Sequence, residues 1–590
     1  MVDAYFGRFV LPEDLHAALQ KCRSIAYIET QEELDELVFG PTHSSRYDVV
    51  YNIVGNGTVK EAEVIRCKNG ASVNFMEDYM RRRDPNSMVI SDEFPTDKPR
   101  FQERFGYSFS KVRQETMDWL SEQRVIMLPF KAGDPAHGYD SLLVCPANAA
   151  FFALALANMQ GFVAIQDIPE TYTPRAIIYV APPFRHTHFE GKQVVVHNRL
   201  DDCHEVFSYN LYPGPSAKKG VYSVLLDIGE QEGWTTCHTS AGRLITPYEN
   251  ELVIMHEGAS GGGKSEMLQD IAREPDGEVL LSTNTVTGEK TYLHIGSTCK
   301  IEPVCDDMAT CYPGVQNNSG KLVLVDGEDG WFLRMDGVTH YGCDPVYERI
   351  CTEPKEPLCF FNMEGHPGAT LLIWEHTLDS NGKPCSNPRA IVPRWDVPNI
   401  VKEPVEVDVR SFGVRMPPST RDNPNYGIMG MLHIIPPALA WLWRLIAPRG
   451  FNNPSIVTGN ELKSEGVGSY WPFATGKRVA QANLLLHQIV DSPNTRYVLI
   501  PNQHIGVYKV GFAAEWISRE YLARHGGAKI RREHLEPARC PLLGYAMKDL
   551  TIDGQKIRSK YLRVDTQDRV GTDGYDAGAK ILTDFFPKEL

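Results

Sequence analysis

The stretch at residues 251–273, ELVIMHEGASGGGKSEMLQDIAR, is the part of the chain that decides its fold. An apolar, strand-like run leads into the glycine-rich segment GASGGGKS, and a helix-like run follows it. This segment matches the pattern G-x-x-x-x-G-K-[ST], in which the backbone N–H groups of a flexible loop surround phosphate oxygens. The pattern predicts a phosphate-binding loop (P-loop) that holds a nucleoside triphosphate. The predicted nucleotide-binding residues are Gly258, Ala259, Ser260, Gly261, Gly262, Gly263, Lys264 and Ser265.

Two side chains at the end of this segment have the chemistry that a phosphate site needs. Lys264 is long enough to reach the outer phosphates, and the Ser265 hydroxyl can ligate Mg²⁺. The amino terminus of the predicted helix adds partial positive charge. The alternative is a glycine-rich turn with an exposed lysine, which the order of strand, loop and helix disfavours.

A P-loop also needs a carboxylate that holds its metal ion. The run KLVLVDGEDGW at residues 321–331 places Asp326 at the end of a predicted strand, with Glu328 and Asp329 just after it. An Asp-Gly pair also marks surface turns, which is the alternative reading. Because the run follows a predicted P-loop, we assign Asp326 as the predicted metal-binding carboxylate.

Composition limits the classes of protein to which the chain can belong. It has 590 residues, which is too long for one simple core, so two or three domains are expected. The net charge of −15 argues against non-specific binding to nucleic acid or membranes. Thirteen scattered cysteines without a CxxC pair favour reduced thiols and a cytoplasmic location. The first residues, MVDAYFGRFVLPEDL, do not resemble a secretory signal.

One apolar stretch, IMGMLHIIPPALAWLWRLIA at residues 428–447, requires a decision about membranes. It contains His433, Arg444 and the pair Pro436-Pro437, whereas a spanning helix needs about 20 mostly apolar residues. We therefore predict a buried helix, or two helices, with a break at the prolines.

The remaining patterns predict a mixed α/β chain without internal repeats. Residues 105–125 have a helical period, and the small apolar residues at 147–158 indicate a packed helix. Short β-branched runs bounded by glycine and charged residues predict buried strands. These runs are at residues 175–181, 193–198, 251–258, 321–331, 369–377 and 496–502.

Together these motifs resemble the ATP-dependent phosphoenolpyruvate (PEP) carboxykinases. The P-loop of that family reads G-L-S-G-T-G-K-T, which is similar to residues 258–265, and its second kinase motif, D-D-E-H-G-W, is similar to DGEDGW at 326–331. Weaker matches occur in the same order along nearly the whole chain. They are RRDPNS at 82–87, KAGDP at 131–135, ANAAFFALALANM at 147–159, KKG at 218–220, CHTSAG at 237–242, SNPRAIVP at 386–393, FGVRMPP at 412–418 and YDAGAKIL at 575–582.

The resemblance implies a two-lobed α/β (α+β) fold. A substrate lobe would cover residues 1–245, and a nucleotide-binding lobe with the P-loop would cover residues 246–590. The implied reaction converts oxaloacetate and a nucleoside triphosphate into PEP, CO₂ and the diphosphate, with Mg²⁺ and Mn²⁺ as cofactors. The implied partners are a nucleotide such as ATP and a small anionic metabolite.

The resemblance also implies roles for individual residues outside the P-loop. Arg83 and Tyr212 would bind the substrate, and Arg389 would bind it and neutralise the transferring phosphoryl group. Lys219 and His238 would hold Mn²⁺ as neutral nitrogen ligands.

Within the P-loop, Ser260 and Lys264 would belong to the catalytic set together with Lys219 and Arg389, and Ser265 would hold Mg²⁺ with Asp326. Apart from the resemblance, each assignment has an ordinary structural alternative. His238 would be a core histidine, and the lysines and arginines would be solvated surface residues.

Several positions depart from the pattern of the family. Gly327 replaces the second aspartate of the kinase motif, and the segment from Tyr212 to the lysine pair is one residue longer. Glu257 precedes the P-loop where the family has an apolar or small residue. The base-binding segment is barely recognisable at residues 501–507, and residues 441–454 have no counterpart.

Three functions therefore stay open at the level of sequence. The first is a carboxykinase acting on oxaloacetate or PEP. The second is a kinase that uses the same fold to phosphorylate another small molecule or a protein side chain. The third is a non-catalytic nucleotide-binding protein.

Overall fold

The structure is a computed structural model, and it describes residues 5–77, 85–258, 261–385, 387–424, 426–449, 462–527, 530–557 and 563–590. Helices and strands are mixed throughout these residues, which confirms the predicted α/β (α+β) class. Numbered along the chain, the described α-helices are α1 (Glu13–Lys21), α2 (Gln31–Leu37), α3 (Phe101–Phe105), α4 (Phe109–Ser121), α5 (Ala150–Met159), α6 (Phe184–His188), α7 (Lys219–Glu232), α8 (Lys264–Met267), α9 (Pro345–Thr352), α10 (Pro437–Ile446), α11 (Arg478–Asp491), α12 (Ala513–Arg524) and α13 (Gly571–Glu589).

The chain divides into two compact units that alternate along the sequence. The first unit contains Met1–Ile228, Glu328–Val397 and Thr475–Lys477. The second unit contains Gly229–Gly327, Pro398–Ala474 and Arg478–Leu590. The second unit extends to both sides of residue 245, the lobe boundary that the sequence predicts.

Two sheets form the first unit. The larger has the order β1-β6-β7-β9-β11-β10-β5, with β8 added beside β6, and the smaller has the order β2-β3-β4-β21-β22-β20. The strands of the larger sheet are β1 (Ser24–Tyr27), β5 (Val89–Ile90), β6 (Arg124–Ala132), β7 (Tyr139–Pro146), β8 (Gly161–Phe162), β9 (Ala176–Val180), β10 (Val195–Arg199) and β11 (His204–Ser208). Those of the smaller sheet are β2 (Arg46–Ile53), β3 (Gly57–Cys67), β4 (Gly70–Phe75), β20 (Gly330–Arg334), β21 (Leu358–Phe361) and β22 (Arg389–Pro393).

Helix α5 explains the small apolar residues predicted to form a packed helix. It contacts β6 and β7 of the larger sheet and β20, β21 and β22 of the smaller one. A helix covered on several sides must be apolar around its whole circumference, and nine of its ten residues are buried. The predicted helix at 105–125 is also confirmed, because α4 lies within it.

The second unit is also built on two sheets, together with two short strand pairs. The larger sheet has the order β16-β15-β29-β28-β24-β14-β13-β17, with β25, β30 and β31 attached beside β28, and the smaller has the order β12-β18-β19-β23. The strands of the larger sheet are β13 (Thr239–Ile245), β14 (Glu251–Gly258), β15 (Val279–Asn284), β16 (Lys290–Leu293), β17 (Lys300–Cys305), β24 (Val409–Arg415), β25 (His433–Ile434), β28 (Arg496–Ile505), β29 (Tyr508–Gly511), β30 (Leu535–Pro537) and β31 (Tyr545–Met547). The smaller sheet contains β12 (Thr236–Cys237), β18 (Ala309–Thr310), β19 (Leu322–Asp326) and β23 (Val405–Val407), and the short pairs are β26 (Pro448–Arg449) with β27 (Lys463–Ser464) and β32 (Leu550–Ile552) with β33 (Gln555–Ile557).

The strand that precedes the glycine-rich segment lies inside the larger sheet. β14 pairs in parallel with β24, which in turn pairs in parallel with β28, and β13 covers the other side of β14 in antiparallel register. Strands with neighbours on both sides read as continuous apolar runs, as LVIM does in β14. Apolar side chains of β14, β24, β28 and α12 share one core cluster.

Most of the predicted strands are confirmed. β9, β10, β14, β19 and β28 all fall on the predicted runs, and the run at 321–331 also contains the start of β20. The strand predicted at 369–377 is wrong, because the segment forms only an isolated bridge between Met363 and His376. Its apolar residues Leu371 and Ile373 are nevertheless buried, so its hydrophobicity reflects core contacts without sheet pairing.

The apolar stretch at 428–447 breaks at its prolines, as predicted. Pro436 precedes α10 and Pro437 is its first residue, where the missing N–H costs no helical hydrogen bond. The part before the prolines contains the two-residue strand β25. Of the helices in the described residues, none combines the length and the hydropathy required to cross a bilayer.

Candidate phosphate and metal site

The described residues 261–263 of the glycine-rich segment lie just before α8, and β14 ends at Gly258, all in the second unit. Gly261 and Gly263 adopt left-handed φ angles of 79° and 91°, which an L-residue rarely accepts. A Cβ atom on Gly263 would lie 1.9 Å from Oε1 of Glu515, so glycine is also required sterically at this position. Ala259 and Ser260, which were predicted to bind nucleotide, lie outside the described residues.

The two predicted phosphate and metal ligands of this loop have defined partners. Nζ of Lys264 donates to the carbonyl oxygen of Gly258 at 3.3 Å, across the base of the loop. Oγ of Ser265, an exposed residue, donates to Oδ1 of Asp306 at 3.0 Å. The loop therefore presents its serine hydroxyl next to a carboxylate.

Asp306 and its neighbour Asp307 follow the end of β17 and contact two different predicted site residues. Oδ1 of Asp307 lies 2.7 Å from Nε2 of His238, while Asp306 contacts Ser265. Asp307 has a positive φ of 90°, an uncommon and costly conformation for a residue with a side chain. Its carbonyl oxygen accepts from the N–H of Thr239, which helps to hold that conformation.

Asp326, the predicted metal-binding carboxylate, lies at the end of β19. It pairs with Ala309 of β18, two residues beyond Asp307 in the sequence. Its side chain is completely buried, whereas that of Asp307 is 28% exposed. The assignment of Asp326 as a ligand stays a prediction.

Glu257, which departs from the family pattern, belongs to a buried ionic cluster at the end of β14. The carboxylate pairs with Nε of Arg410 and lies 2.9 Å from Nη2 of Arg444. All three side chains are buried, and the pairing satisfies the strong requirement of buried charges for a partner. One carboxylate and two guanidinium groups carry a net charge of +1 directly before the loop.

A serine joins this cluster to the loop and to His238. Oγ of Ser469 donates to the carbonyl oxygen of Gly258 at 3.1 Å, and it also lies 3.1 Å from Nη2 of Arg444. The same oxygen is 3.4 Å from Nδ1 of His238, whose Nε2 faces Asp307. The imidazole is thus held at both nitrogens.

Two ionisable groups near the loop have pKa values that differ from their ordinary values. The Cys311 thiol, through a hydrogen bond, and the Arg410 charge lower the pKa of Cys237, against the effect of burial. Burial raises the pKa of Glu266, the residue after Ser265. Both environments combine enclosure with nearby charge, as is common at functional sites.

The first unit brings together two of the predicted substrate-binding residues, Tyr212 and Arg389. Nδ2 of Asn387 donates to the hydroxyl oxygen of Tyr212 at 2.7 Å, and Oδ1 of the same amide accepts from Nε of Arg389 at 2.8 Å. Arg389 also donates to the carbonyl oxygen of Phe332 and lies over its ring. The acceptors described for its Nε and Nη1 are both neutral oxygens.

The remaining predicted residues of the first unit are the lysine pair and Arg83. Lys218 is buried and forms an ion pair with Glu328 at 3.3 Å. Lys219 begins α7, and its Nζ lies 5.4 Å from the ring centroid of Tyr222. Arg83 lies outside the described residues.

Sequence reasoning missed Asp306, Asp307 and Asn387. The signal for the first two was present in KIEPVCDD, a strand-like run that ends in two aspartates. It was missed because 41 residues separate Asp306 from Ser265. In the residues that the structure describes, no group of three or more His, Cys, Asp and Glu side chains is arranged as a complete metal site.

The fold and this loop define a mixed α/β protein with a strand, a glycine-rich loop and a one-turn helix in its second unit. The family described as "Domain of unknown function (DUF4914)" matches residues 11–590, and the chain belongs to that family. No protein of curated function matches the sequence.

Proposed function

We propose that this protein is a nucleotide-dependent phosphoryl-transfer enzyme with a PEP carboxykinase-like fold, acting as a carboxykinase. The observation that carries the proposal is the aspartate pair that joins the loop to the predicted metal-binding histidine. Asp306 contacts Ser265 at 3.0 Å, and Asp307 contacts His238 at 2.7 Å. One acidic turn therefore supports both of the cation sites that such a reaction requires.

The residues around Ser265 fit a Mg²⁺ ion. The ion prefers oxygen ligands and is commonly held by one or two carboxylates, with phosphate and water oxygens filling the remaining positions. Ser265 and Asp306 supply a hydroxyl and a carboxylate at hydrogen-bonding distance from one another. When bound there, Mg²⁺ neutralises charge on the phosphates, while Lys264 binds the outer phosphates directly.

The residues around His238 fit Mn²⁺ by the chemistry of their donors, an imidazole nitrogen and a carboxylate oxygen. The D-D-E-H-G-W motif of the resembling family begins with two aspartates, the second of which binds Mn²⁺. Asp306-Asp307 supplies such a pair, so Gly327 need not mean that a ligand is lost. His238 and Asp307 would hold the ion, which would supply positive charge to polarise the substrate, and Ser469 would orient the His238 ring through Nδ1.

The first unit contains a group suited to an anionic substrate. The described bonds of Nε and Nη1 of Arg389 are to neutral oxygens, and its planar guanidinium has the geometry that pairs with a carboxylate. Tyr212 accepts a hydrogen bond from Asn387, so its own hydroxyl proton can be donated to a ligand. These properties support binding of a small carboxylate such as oxaloacetate.

The conditions for the reaction are those of the cytoplasm. All thirteen cysteines are free thiols, and ten of them are buried. Reduced cysteines are usual where glutathione and thioredoxin maintain a reducing environment. We therefore place the proposed activity in the cytoplasm, with ATP or another nucleoside triphosphate as substrate.

The test is a coupled assay of the full chain with oxaloacetate, either ATP or GTP, and both Mg²⁺ and Mn²⁺. We expect PEP formation that is lost in Lys264→Ala and in Asp306→Asn and kept in Lys588→Ala, a control at an exposed position in α13. ATP hydrolysis or phosphoryl transfer without PEP formation would show that the enzyme uses another phosphoryl acceptor. Failure of the wild-type protein to bind Mg-ATP would overturn the proposal as a whole.

A further inference from the structure

The carbonyl groups of the glycine-rich loop are bound by buried side chains. Nε2 of His256 lies 3.0 Å from the carbonyl oxygen of Gly262, and Nδ2 of Asn502 lies 3.4 Å from that of Gly261. A carbonyl oxygen only accepts, so Nε2 of His256 carries a hydrogen. Both donors are completely buried and belong to the strands on either side of β24.

The one-turn helix after the loop is bound in the same way by α12. Nε1 of Trp516 donates to the carbonyl oxygen of Glu266 at 2.9 Å. Nη1 of Arg519 donates to the carbonyl oxygens of Met267 and Gln269, at 2.6 and 2.8 Å. A four-residue helix makes few hydrogen bonds of its own: the carbonyl oxygens of Ser265 and Glu266 accept from the N–H groups of Leu268 and Gln269. Side chains of α12 therefore add hydrogen bonds at the carboxyl end of this short helix.

Binding of the loop carbonyls determines where the loop N–H groups point. In a planar trans peptide, the C=O of one residue and the N–H of the next point in opposite directions. Since the carbonyls of Gly261 and Gly262 are turned toward Asn502 and His256, the N–H groups of Gly262 and Gly263 are turned away from them. Neither N–H has a hydrogen-bond acceptor among the residues that the structure describes.

The surface below the loop is closely packed as well as polar. Oε1 of Glu515, on α12, accepts from Nδ2 of Asn502 at 2.9 Å and lies 3.4 Å from Nε2 of His256. A Cβ atom on Gly413 of β24 would lie 1.8 Å from the carbonyl oxygen of Gly262, which shows how closely the loop is seated. With no side chain at either glycine, the loop rests directly on this hydrogen-bonding surface.

We propose that His256, Asn502, Trp516 and Arg519 are positioning residues that direct the N–H groups of the loop toward the phosphates of a bound nucleotide. The inference rests on the proposed nucleotide site and adds residues that the glycine-rich motif does not contain. Each of the four side chains acts through a backbone carbonyl of the loop or of α8, and none is proposed to contact the phosphates. Loss of one donor removes a hydrogen bond that holds a carbonyl in place, which frees its peptide to rotate and weakens phosphate binding.

The first test compares two tryptophans with the same type of hydrogen bond. Trp516→Phe removes the donor to Glu266, and Trp441→Phe removes an equivalent donor from the carbonyl oxygen of Ala482, remote in sequence from the loop. Both side chains are half-buried, so the two variants are matched in the burial they perturb. We measure the affinity for Mg-ATP by calorimetry, the thermal unfolding midpoint, and hydrogen–deuterium exchange of the peptide over residues 261–268.

We expect Trp516→Phe to raise the Kd for Mg-ATP by about three- to tenfold, and to speed exchange in that peptide. Trp441→Phe should change neither property while lowering the unfolding midpoint by a similar amount. Equal Mg-ATP affinity in the two variants would overturn the inference. Equal rates of hydrogen–deuterium exchange over residues 261–268 would also overturn it. If wild-type protein fails to bind Mg-ATP, the proposed function fails first, and exchange in the free proteins still tests whether Trp516 orders the loop.

A second test uses Arg519, where a conservative variant can restore part of the effect. Arg519→Met removes both donors to the end of α8, and Arg519→Lys keeps one flexible donor. We expect Mg-ATP affinity to decrease in the order wild type, Lys, Met. Mg-ATP affinity equal to wild type in folded Arg519→Met protein would overturn the role of Arg519 in positioning the loop.

Discussion

Two acidic turns of the second unit have similar sequences and different surroundings. Asp306-Asp307 follows β17, whereas Asp326 is the last residue of β19 and precedes Gly327, so each turn places a carboxylate at the end of a strand. The first turn contacts Ser265 and His238, and part of Asp307 is exposed to solvent. The side chain of Asp326 is completely buried. Asp306 is itself only 6% exposed, so the first turn differs from the second in its contacts with Ser265 and His238 and in the partial exposure of Asp307.

The largest effect is expected when one carboxylate in each turn is replaced by an amide. We expect Asp306→Asn to raise the Kd for Mg-ATP by about a hundredfold, because the metal loses a charged ligand next to Ser265. We expect Asp326→Asn to change it by less than about threefold. Calorimetry at saturating Mg²⁺ measures both values, and the unfolding midpoints control for misfolding. A large rise in the Kd for Asp326→Asn, with little change for Asp306→Asn, would identify Asp326 as the metal ligand.

A carboxylate whose pKa is shifted mainly by burial provides a reference for both turns. Burial raises the pKa of Asp35, on α2 of the first unit, to about 7, with smaller contributions from Glu356, Glu36 and Glu32 and an opposing hydrogen bond from Gln31. The folded protein therefore holds a proton that the unfolded chain releases above its ordinary pKa of 3.8. The stabilisation by this proton is complete below that value and is lost as the pH rises through 7.

Asp35→Asn removes this dependence, since an amide stays neutral at every pH. We expect the variant to gain stability relative to wild type, by on the order of 2 kcal/mol more at pH 8 than at pH 5. Urea unfolding at the two pH values measures the free energies. An equal gain at both would show that Asp35 is ionised in the folded state, and burial would then not govern it.

The smallest expected effect separates the two aspartates of the first turn. Asp307→Asn should weaken Mn²⁺ binding by about tenfold, which corresponds to about 1.4 kcal/mol, since His238 and other donors remain. The signal of free Mn²⁺ in electron paramagnetic resonance measures this affinity. Asp326→Asn serves as the control. Unchanged Mn²⁺ affinity in Asp307→Asn would leave Asp307 as an orienting partner of His238 and nothing more.

Local patterns predicted the elements well where burial and backbone geometry agree. Helices α4 and α5 and the strands β9, β10, β14, β19 and β28 lie where the periodicity places them. The break at Pro436-Pro437 follows from the chemistry of proline alone. The failure at 369–377 has a physical cause, because hydrophobic residues indicate burial, and burial does not require a hydrogen-bonded neighbour strand.

Glu257 shows why a departure from a family pattern cannot be judged from sequence. A charged residue at the end of a buried strand is unfavourable without a partner, and in the structure Arg410 and Arg444 lie beside it. Those two arginines lie more than a hundred residues further along the chain, so no local pattern predicts the pairing. The cluster converts an isolated buried charge, which would be costly, into a compensated group with a net positive charge.

The sequence by itself determined the glycine-rich loop, because its requirements are local. Left-handed φ angles, a lysine and a hydroxyl at fixed spacing follow from the chain without reference to any other segment. It also determined the α/β class, because the periods of helices and strands are properties of short runs. Only the tertiary structure decided which carboxylates meet Ser265 and His238, which side chains bind the loop carbonyls, and that Asn387 joins Tyr212 to Arg389. Apart from His256 with Gly262 and Asn387 with Arg389, these contacts join residues that are distant in the chain, and strand order and register bring them together.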